Sequence, residues 1–254
     1  MIELTAAVVV LLLLAAFAAG WIDAVSGGGG LIQLPALLLV FPPSATLTAM
    51  GTNKLSSLIG TTAAVRTYTN AHRPDWPFAR RLMAVAFVAS GLGSFTATRV
   101  STDFLRPIVV VVLAGVWVFT FLRKPLHAEE VFEIRHHNRA YAIAAVVGFY
   151  DGIIGPGTGS FLLIGFVSVV GLSFLGASVA AKLANWATNL ASIVVFTATG
   201  HISFALAISM GAANALGNWL GARTAIAKGS AFVRLVFLFV TGALLVRLAW
   251  SLVP

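Results

Sequence analysis

Gly20-Trp-Ile-Asp23-Ala-Val-Ser-Gly-Gly-Gly-Gly30 places an acid and four consecutive glycines inside an apolar run, and Gly148-Phe-Tyr-Asp151-Gly-Ile-Ile-Gly-Pro-Gly-Thr-Gly159 repeats the device 128 residues later (148 minus 20). Glycine and proline at this density break a helix. The chain around them has 254 residues, of which 59% are hydrophobic and 9% charged. A soluble domain averages about 45–50% apolar and about 25% charged residues, so a water-facing surface cannot be built from this composition. That excludes a soluble enzyme, a disordered tail and a nucleic-acid binder, despite a net charge of +8. Broken backbone at membrane depth is tolerated only where protein buries it or where it lines a cavity. Two breaks in corresponding positions therefore predict a cavity, or a point of close helix contact that only glycine allows.

Apolar runs cover roughly 4 to 22, 28 to 41, 44 to 69, 78 to 98, 104 to 122, 139 to 154, 158 to 171, 174 to 199, 203 to 222 and 232 to 251. A straight crossing needs about 20 residues, so the second and seventh runs are too short for one and should be half-helices, tilted inserts or arms of re-entrant hairpins. The first run follows Glu3 rather than a basic residue and reads as a permanent span. With no cysteine in the chain, disulfides, thiolate metal sites and thiol chemistry are absent. No cofactor motif is present, and the histidines of the polar connector, His127, His136 and His137, show no convincing ligand spacing.

Sliding the chain on itself by 128 residues also aligns Gly27 with Gly155, Gly29 with Gly157, Lys54 with Lys182, Gly93 with Gly221 and Arg106 with Arg234. Register held without a gap over this span indicates two homologous halves, 1–122 and 139–254, joined by a charged connector, 123–138. Charge placement sets their orientation. Arg73, Arg80 and Arg81 occupy the loop near 70 to 81, whereas its counterpart near 199 to 203 carries only His201. The connector adds Arg123, Lys124 and Arg135, followed by Arg139, and Arg223, Lys228 and Arg234 fall on the same side when each half crosses five times. The positive-inside rule makes that side cytoplasmic and both termini external, with Arg99 and Arg106 as the exceptions. The expectation is an all-α polytopic membrane protein of two inverted repeats, about five segments each, with short or broken second helices. Four crossings per half with re-entrant short runs is the alternative.

Lys54 and Lys182 lie near the middle of the third segment of each half. A lysine at that depth costs about 2.5–3.5 kcal/mol on insertion scales, so each should face a cavity or a carboxylate, with Asp23 and Asp151 as candidate partners. Paired structural ion bridges and an anion site with a proton-carrying or lysine-holding aspartate are both open. The half-helices restarting near Leu31 and Ser160 would aim free N–H groups and the positive dipole end at a small anion. Gly28, Gly29, Gly157 and Thr158 are the contacts that they would offer. Asn53 lies beside Lys54, and Lys182, Asn185 and Asn189 form one helical stripe; their amides could orient substrate oxygens or bond neighbouring helices. Ala89, Gly93, Ala97 and Gly217, Gly221, Ala225 are small residues at a spacing of four and read as packing faces, with Asn214 and Asn218 on neighbouring turns.

Asp23 to Gly30 with Pro35, Gly51-Thr-Asn-Lys-Leu55, Gly148-Phe-Tyr-Asp-Gly152 running into Gly155-Pro-Gly-Thr-Gly-Ser-Phe161, Ala181-Lys182 with Asn185 and Asn189, and Gly217-xxx-Gly221-Ala-Arg223 together resemble the sulfite exporter TauE/SafE family of bacterial membrane transporters, closest to its broad permease branch. The resemblance covers nearly the whole chain. It implies secondary transport, usually export across the inner membrane, of sulfur-containing anions such as sulfite or organosulfonates. The expected protein is a multi-pass inner-membrane transporter that is not an enzyme and uses no cofactor or metal. Its partners would be a small anion, the bilayer and protons, without nucleic acid; an oligomer is compatible with the sequence. A permease for another small organic anion, or a non-transporting intramembrane enzyme or assembly factor, is the competing expectation.

Overall fold

The computed structural model describes residues 5–122 and 137–228. The connector, with His127 and His136, and the tenth apolar run lie outside the described residues.

Helix α1 (Ala6–Ser26) starts at Thr5, whose hydroxyl accepts the Val8 N–H, and stops at Gly27, left-handed at φ 77°, whose N–H returns to the Asp23 carbonyl. After the glycine break comes α2 (Gly30–Val40), which ends at the Pro42–Pro43 pair. Its 11 residues span only about 16 Å at 1.5 Å per residue, half of a hydrocarbon core. A single turn at Pro43–Ala45 leads into α3 (Thr46–Ala71), followed by α4 (Trp76–Ala97) and α5 (Thr102–Leu122). The second half runs α6 (His137–Ile153), α7 (Thr158–Gly165) extended by a π turn to Val170, α8 (Phe174–Ala198) and α9 (Phe204–Lys228). No strand occurs among the described residues. Adding 128 to the starts of α2, α3 and α4 (30, 46 and 76) gives 158, 174 and 204, the starts of α7, α8 and α9.

Packing exchanges the fourth helices. α9, of the second half, lies on α1 and α3, while α4 lies on α6 and α8. Small residues make these contacts possible, as the spacing predicts: Gly20 rests on the Asn214 backbone, Gly217 and Gly221 on Phe17 and Trp21, and Gly93 on the Phe149 carbonyl and Gly152. The order of the contacts fixes direction. α1 meets α9 at Gly20 with Asn214 and then at Ala24 with Gly221, and α3 meets α9 at Thr52 with Ser203 and then at Gly60 with Asn214. Both pairs run parallel. α4 and α8 are parallel too, Ser90 bonding the Thr188 carbonyl and Ser94 the Ser192 hydroxyl. α3 and α8 run antiparallel: Trp186 donates to Thr62 at 2.9 Å, while Phe196 lies against Gly51.

The polarity of the fold is reversed relative to a soluble protein. Gln33, Thr52, Asn53, Lys54, Asp151, Lys182, Asn189, Asn214 and Asn218 are buried, while Leu11, Leu14, Phe87, Val88, Leu92, Val111, Val146, Ile208 and Leu216 are exposed. Such an apolar exterior suits lipid rather than water. By length and composition α1 (as Ala6–Val25), α4 and α8 qualify as membrane spans; α3 and α9, as long, carry the internal polar stripes.

Gly27 makes the decisive backbone approach. A Cβ there would meet the Gly159 and Ser160 backbone, in addition to the strain of φ +77°. Gly171 is left-handed as well but opens to empty space, and helical Gly115 has nothing within 4 Å. Thermal unfolding of purified protein in detergent should therefore grade three variants: Gly115→Ala unchanged, Gly171→Ala lowered by about 1–2 kcal/mol of backbone strain, and Gly27→Ala lowered furthest. Equal stability of the Gly27 and Gly171 variants would refute the contact.

Candidate functional site

Two glycine breaks, one from each half, meet at the centre of the helix bundle. The Ser160 N–H donates to the Gly27 carbonyl at 3.1 Å, joining the end of α1 to the start of α7. Two tyrosines hold the breaks in shape: Tyr68 donates to the Ala24 carbonyl at 2.7 Å, and Tyr150 to the Pro156 carbonyl at 2.6 Å. With the helices interrupted there, Asp23 and Asp151 present both a carboxylate and a main-chain carbonyl to the interior.

Each lysine takes the aspartate of the other half. The Lys54 ammonium lies 2.7 Å from Asp151 Oδ2 and donates to the Asp151 carbonyl at 2.7 Å. The Lys182 ammonium lies 2.7 Å from Asp23 Oδ2 and also donates to the Asp23 carbonyl. Lys54 and Asp151 are each 2% exposed, Lys182 4% and Asp23 9%. Burial of four charges is sustained only by pairing with good geometry. An ammonium has three N–H donors; Lys182 directs two at Asp23, to its carboxylate and its carbonyl, whereas Lys54 directs one at the Asp151 carbonyl and itself lines the central cavity, so it has donor capacity for a ligand.

A cavity of about 30 Å³ lies between the pairs, large enough for a water or two. Of the expected contacts, Asn53, Lys54, Asn185, Asn189, Gly29, Gly157, Thr158, Asp23 and Asp151 line it. Gly28 does not, and Lys182 stays behind Asp23. Thr158 is held in place by its own bonds, its hydroxyl lying 2.6 Å from Asp151 Oδ1 and 2.5 Å from the Gly155 carbonyl. The Asn189 amide approaches Asn185 Oδ1 at 3.5 Å, the contact expected of a four-residue spacing. Asn53 Oδ1 and Asp151 Oδ2 are buried and, apart from the ion pair of Asp151 with Lys54, have no hydrogen-bond partner among the described residues; both residues line the cavity, so water or a ligand there can complete them.

Of the N–H groups at the two helix starts, Ser160 donates to the Gly27 carbonyl and Leu31 to the Gly28 carbonyl, so those two are spent on the breaks, while Gly29, Gly30, Gly157 and Gly159 line the cavity with their backbone. Gly27, Gly30, Ser57, Gly155, Gly159 and Asn214 join the lining. Gln33, absent from the expected set, accepts from Asn214 at 2.8 Å, and Asn214 also donates to the Ala16 carbonyl, tying α9 to α1 and α2. The signal for Gln33 was a lone amide within an apolar half-helix.

The cross-pairing sets a stability test. Lys54→Ala should destabilise the purified protein by about 3–5 kcal/mol, because it strands a buried carboxylate. Adding Asp151→Ala should recover a large part of that loss in thermal melts, and adding Asp23→Ala should recover none. Recovery with Asp23 instead would refute the pairing.

The chain matches the family described as sulfite exporter TauE/SafE over residues 12–248. A probable membrane transporter protein, ORF9, of Sinorhizobium sp is 35% identical over 243 residues, 92% of this chain and 89% of that protein. The probable membrane transporter protein YfcA of Escherichia coli K12 is 30% identical over 238 residues, covering 93% and 87% of the two chains. A probable membrane transporter protein of Haemophilus influenzae is 31% identical over 220 residues, 86% and 85% of the two. No solved structure matches the chain.

Proposed function

The chain belongs to the sulfite exporter TauE/SafE family and is a multi-pass membrane transporter, and on that premise we propose that it exports small sulfur-containing anions, such as sulfite or organosulfonates, across the bacterial inner membrane by alternating access. The observation that carries this reading is the buried cavity between two lysine–aspartate pairs that cross from half to half. Lys54 and Lys182 supply positive charge, Asn53, Asn185 and Asn189 orient oxygens, and Gly29, Gly157 and Thr158 close the wall. A cavity of about 30 Å³ holds a water or two in this conformation, so the anion enters as the site opens, and sulfite demands less expansion than a longer organosulfonate.

Two lysines and two aspartates sum to zero, so an arriving anion leaves the site with excess negative charge in a low-dielectric interior. Protonation of Asp23 or Asp151 removes that excess and releases the paired lysine to the anion. Flux then responds to a pH gradient, with the aspartates as the coupling groups.

The halves 1–122 and 139–254, joined by 123–138, are read as inverted repeats of five segments each. Antiparallel packing of α3 on its counterpart α8 supports the inversion. That α1 and α3 both run parallel to α9, with the short α2 between them, supports five segments per half over re-entrant second runs. Midplane sites at broken helices of two inverted halves are a recurring transporter design.

Sulfite flux in proteoliposomes, with and without a pH gradient, tests the proposal: wild type should transport, and Lys54→Ala and Lys182→Ala should each lower the rate at least tenfold in protein that remains monodisperse. Undiminished flux in both variants would remove the lysines from the site, and absent flux in wild type would favour a non-transporting role. Single cysteines at positions 72 and 201, in this naturally cysteine-free chain, should label from opposite faces. Labelling from one face would refute the inversion.

A further inference from the structure

The two halves match in sequence register, yet the ends of their third helices are packed differently. Under the 128-residue shift His72, Gly176 and Ala180 correspond to Gly200, Thr48 and Thr52. Around the first set, a cavity of about 350 Å³ lies between the α3–α4 turn, with His72 and Arg73, and the first three turns of α8, with Gly176, Val179, Ala180 and Leu183; the His72 imidazole reaches across to 3.9 Å from the Cβ position of Gly176. In the second set Gly200 stays exposed with nothing within 4 Å of its Cβ position, but the helix wall at Thr52 is closed. The Ser203 N–H donates to Thr52 Oγ1 at 3.1 Å, Thr52 is fully buried, and Gly51 rests on the His201 carbonyl and the Ile202 side chain with no room for a Cβ. Gly51 is the counterpart of Val179, so one shifted position is a sealed contact and the other is a cavity wall.

The large cavity and the central one have no lining residue in common; what separates them is α8 itself, where Val179 and Leu183 of the large cavity's wall flank Lys182, whose ammonium holds Asp23. Its rim carries Arg73 and Asp75, with Arg80 and Arg81 following in the first two turns of α4, and this is the face that the positive-inside rule makes cytoplasmic. A space of 350 Å³ falls in the range of small-molecule sites and admits a hydrated anion, in contrast to the central cavity.

We infer that this vestibule is the passage through which the anion reaches the Lys182–Asp23 pair from the arginine-bearing face, and that the seat of Gly51 and Thr52 on His201 to Ser203 is the closed gate on the opposite face. The inference rests on the transport reading above and adds the residues that open and close. In the alternate state the exchange runs the other way. The α3–α4 turn settles on Gly176 and Ala180, whose small side chains leave space for it, while the α8–α9 turn lifts off Gly51 and Thr52.

Because the chain contains no cysteine, single substitutions report directly. Ala180→Cys and Thr52→Cys are treated with a membrane-impermeant methanethiosulfonate in vesicles of defined orientation. The expected result is modification of Ala180→Cys from the arginine-bearing face only, with Thr52→Cys at least tenfold slower from either face. Gly51→Ala, which the closed seat cannot hold, should then raise Thr52→Cys labelling from the opposite face at least tenfold and lower Ala180→Cys labelling. Equal labelling of the two positions in the otherwise unaltered chain would overturn the gate assignment, as would a Gly51→Ala variant that opens one end and leaves the other unchanged. Labelling reads the gates whether or not an anion moves. Coupled, unequal labelling without sulfite flux in proteoliposomes would reject the transport reading, and flux with equal labelling would reject the gates alone.

Discussion

Everything in this structure answers to the cost of holding four charges away from water. An uncompensated lysine or aspartate in the interior of a membrane protein is expensive, and here each finds its partner in the other half of the chain: Lys54 with Asp151, Lys182 with Asp23. The glycine breaks follow from that requirement. Interrupting α6 just beyond Asp151 presents its main-chain carbonyl to Lys54, and the Asp23 carbonyl accepts both the Gly27 N–H and Lys182, which gives each lysine two oxygens from one residue. Tyr68 and Tyr150 satisfy further carbonyls of the interrupted segments, so the broken backbone stays bonded at a depth where water is scarce.

The exchange of partners also joins the two halves. The fourth helices swap sides, α9 onto α1 and α3, α4 onto α6 and α8, and the small residues that permit this approach are on both sides of each contact. A polar network runs along one seam, from Gln33 through Asn214 to Asn218, and hydroxyls run along the other, from Ser90 and Ser94 to Ser192. Similar architecture is thus held by different chemistry in the two halves.

Much of this was legible in the residues. The apolar runs match the helices α1 to α9 closely, because length and hydropathy alone decide where a chain can cross a bilayer. The glycine motifs marked the central cavity, since broken backbone has few places to go. The partner of each lysine was not legible: the repeat offers Asp23 and Asp151 equally, and only the helix directions select the crossed pairs. The bond from the Ser160 N–H to the Gly27 carbonyl was hidden for a related reason, as its two ends lie more than a hundred residues apart in sequence. Gln33 escaped because a single amide carries no pattern. The vestibule is invisible in the sequence, because a repeat written in near-equal halves does not say which end is closed.

The central claim is that an oxyanion binds between the crossed pairs at the meeting point of the two glycine breaks. Selenite, an isosteric analogue of sulfite, places an anomalous scatterer on the anion, and crystals grown from a lipid phase and soaked in it give the direct answer. The account predicts an anomalous peak within hydrogen-bond reach of Lys54 and the Asn185 and Asn189 amides. A peak confined to the vestibule at Arg73, with none at the centre, would contradict it.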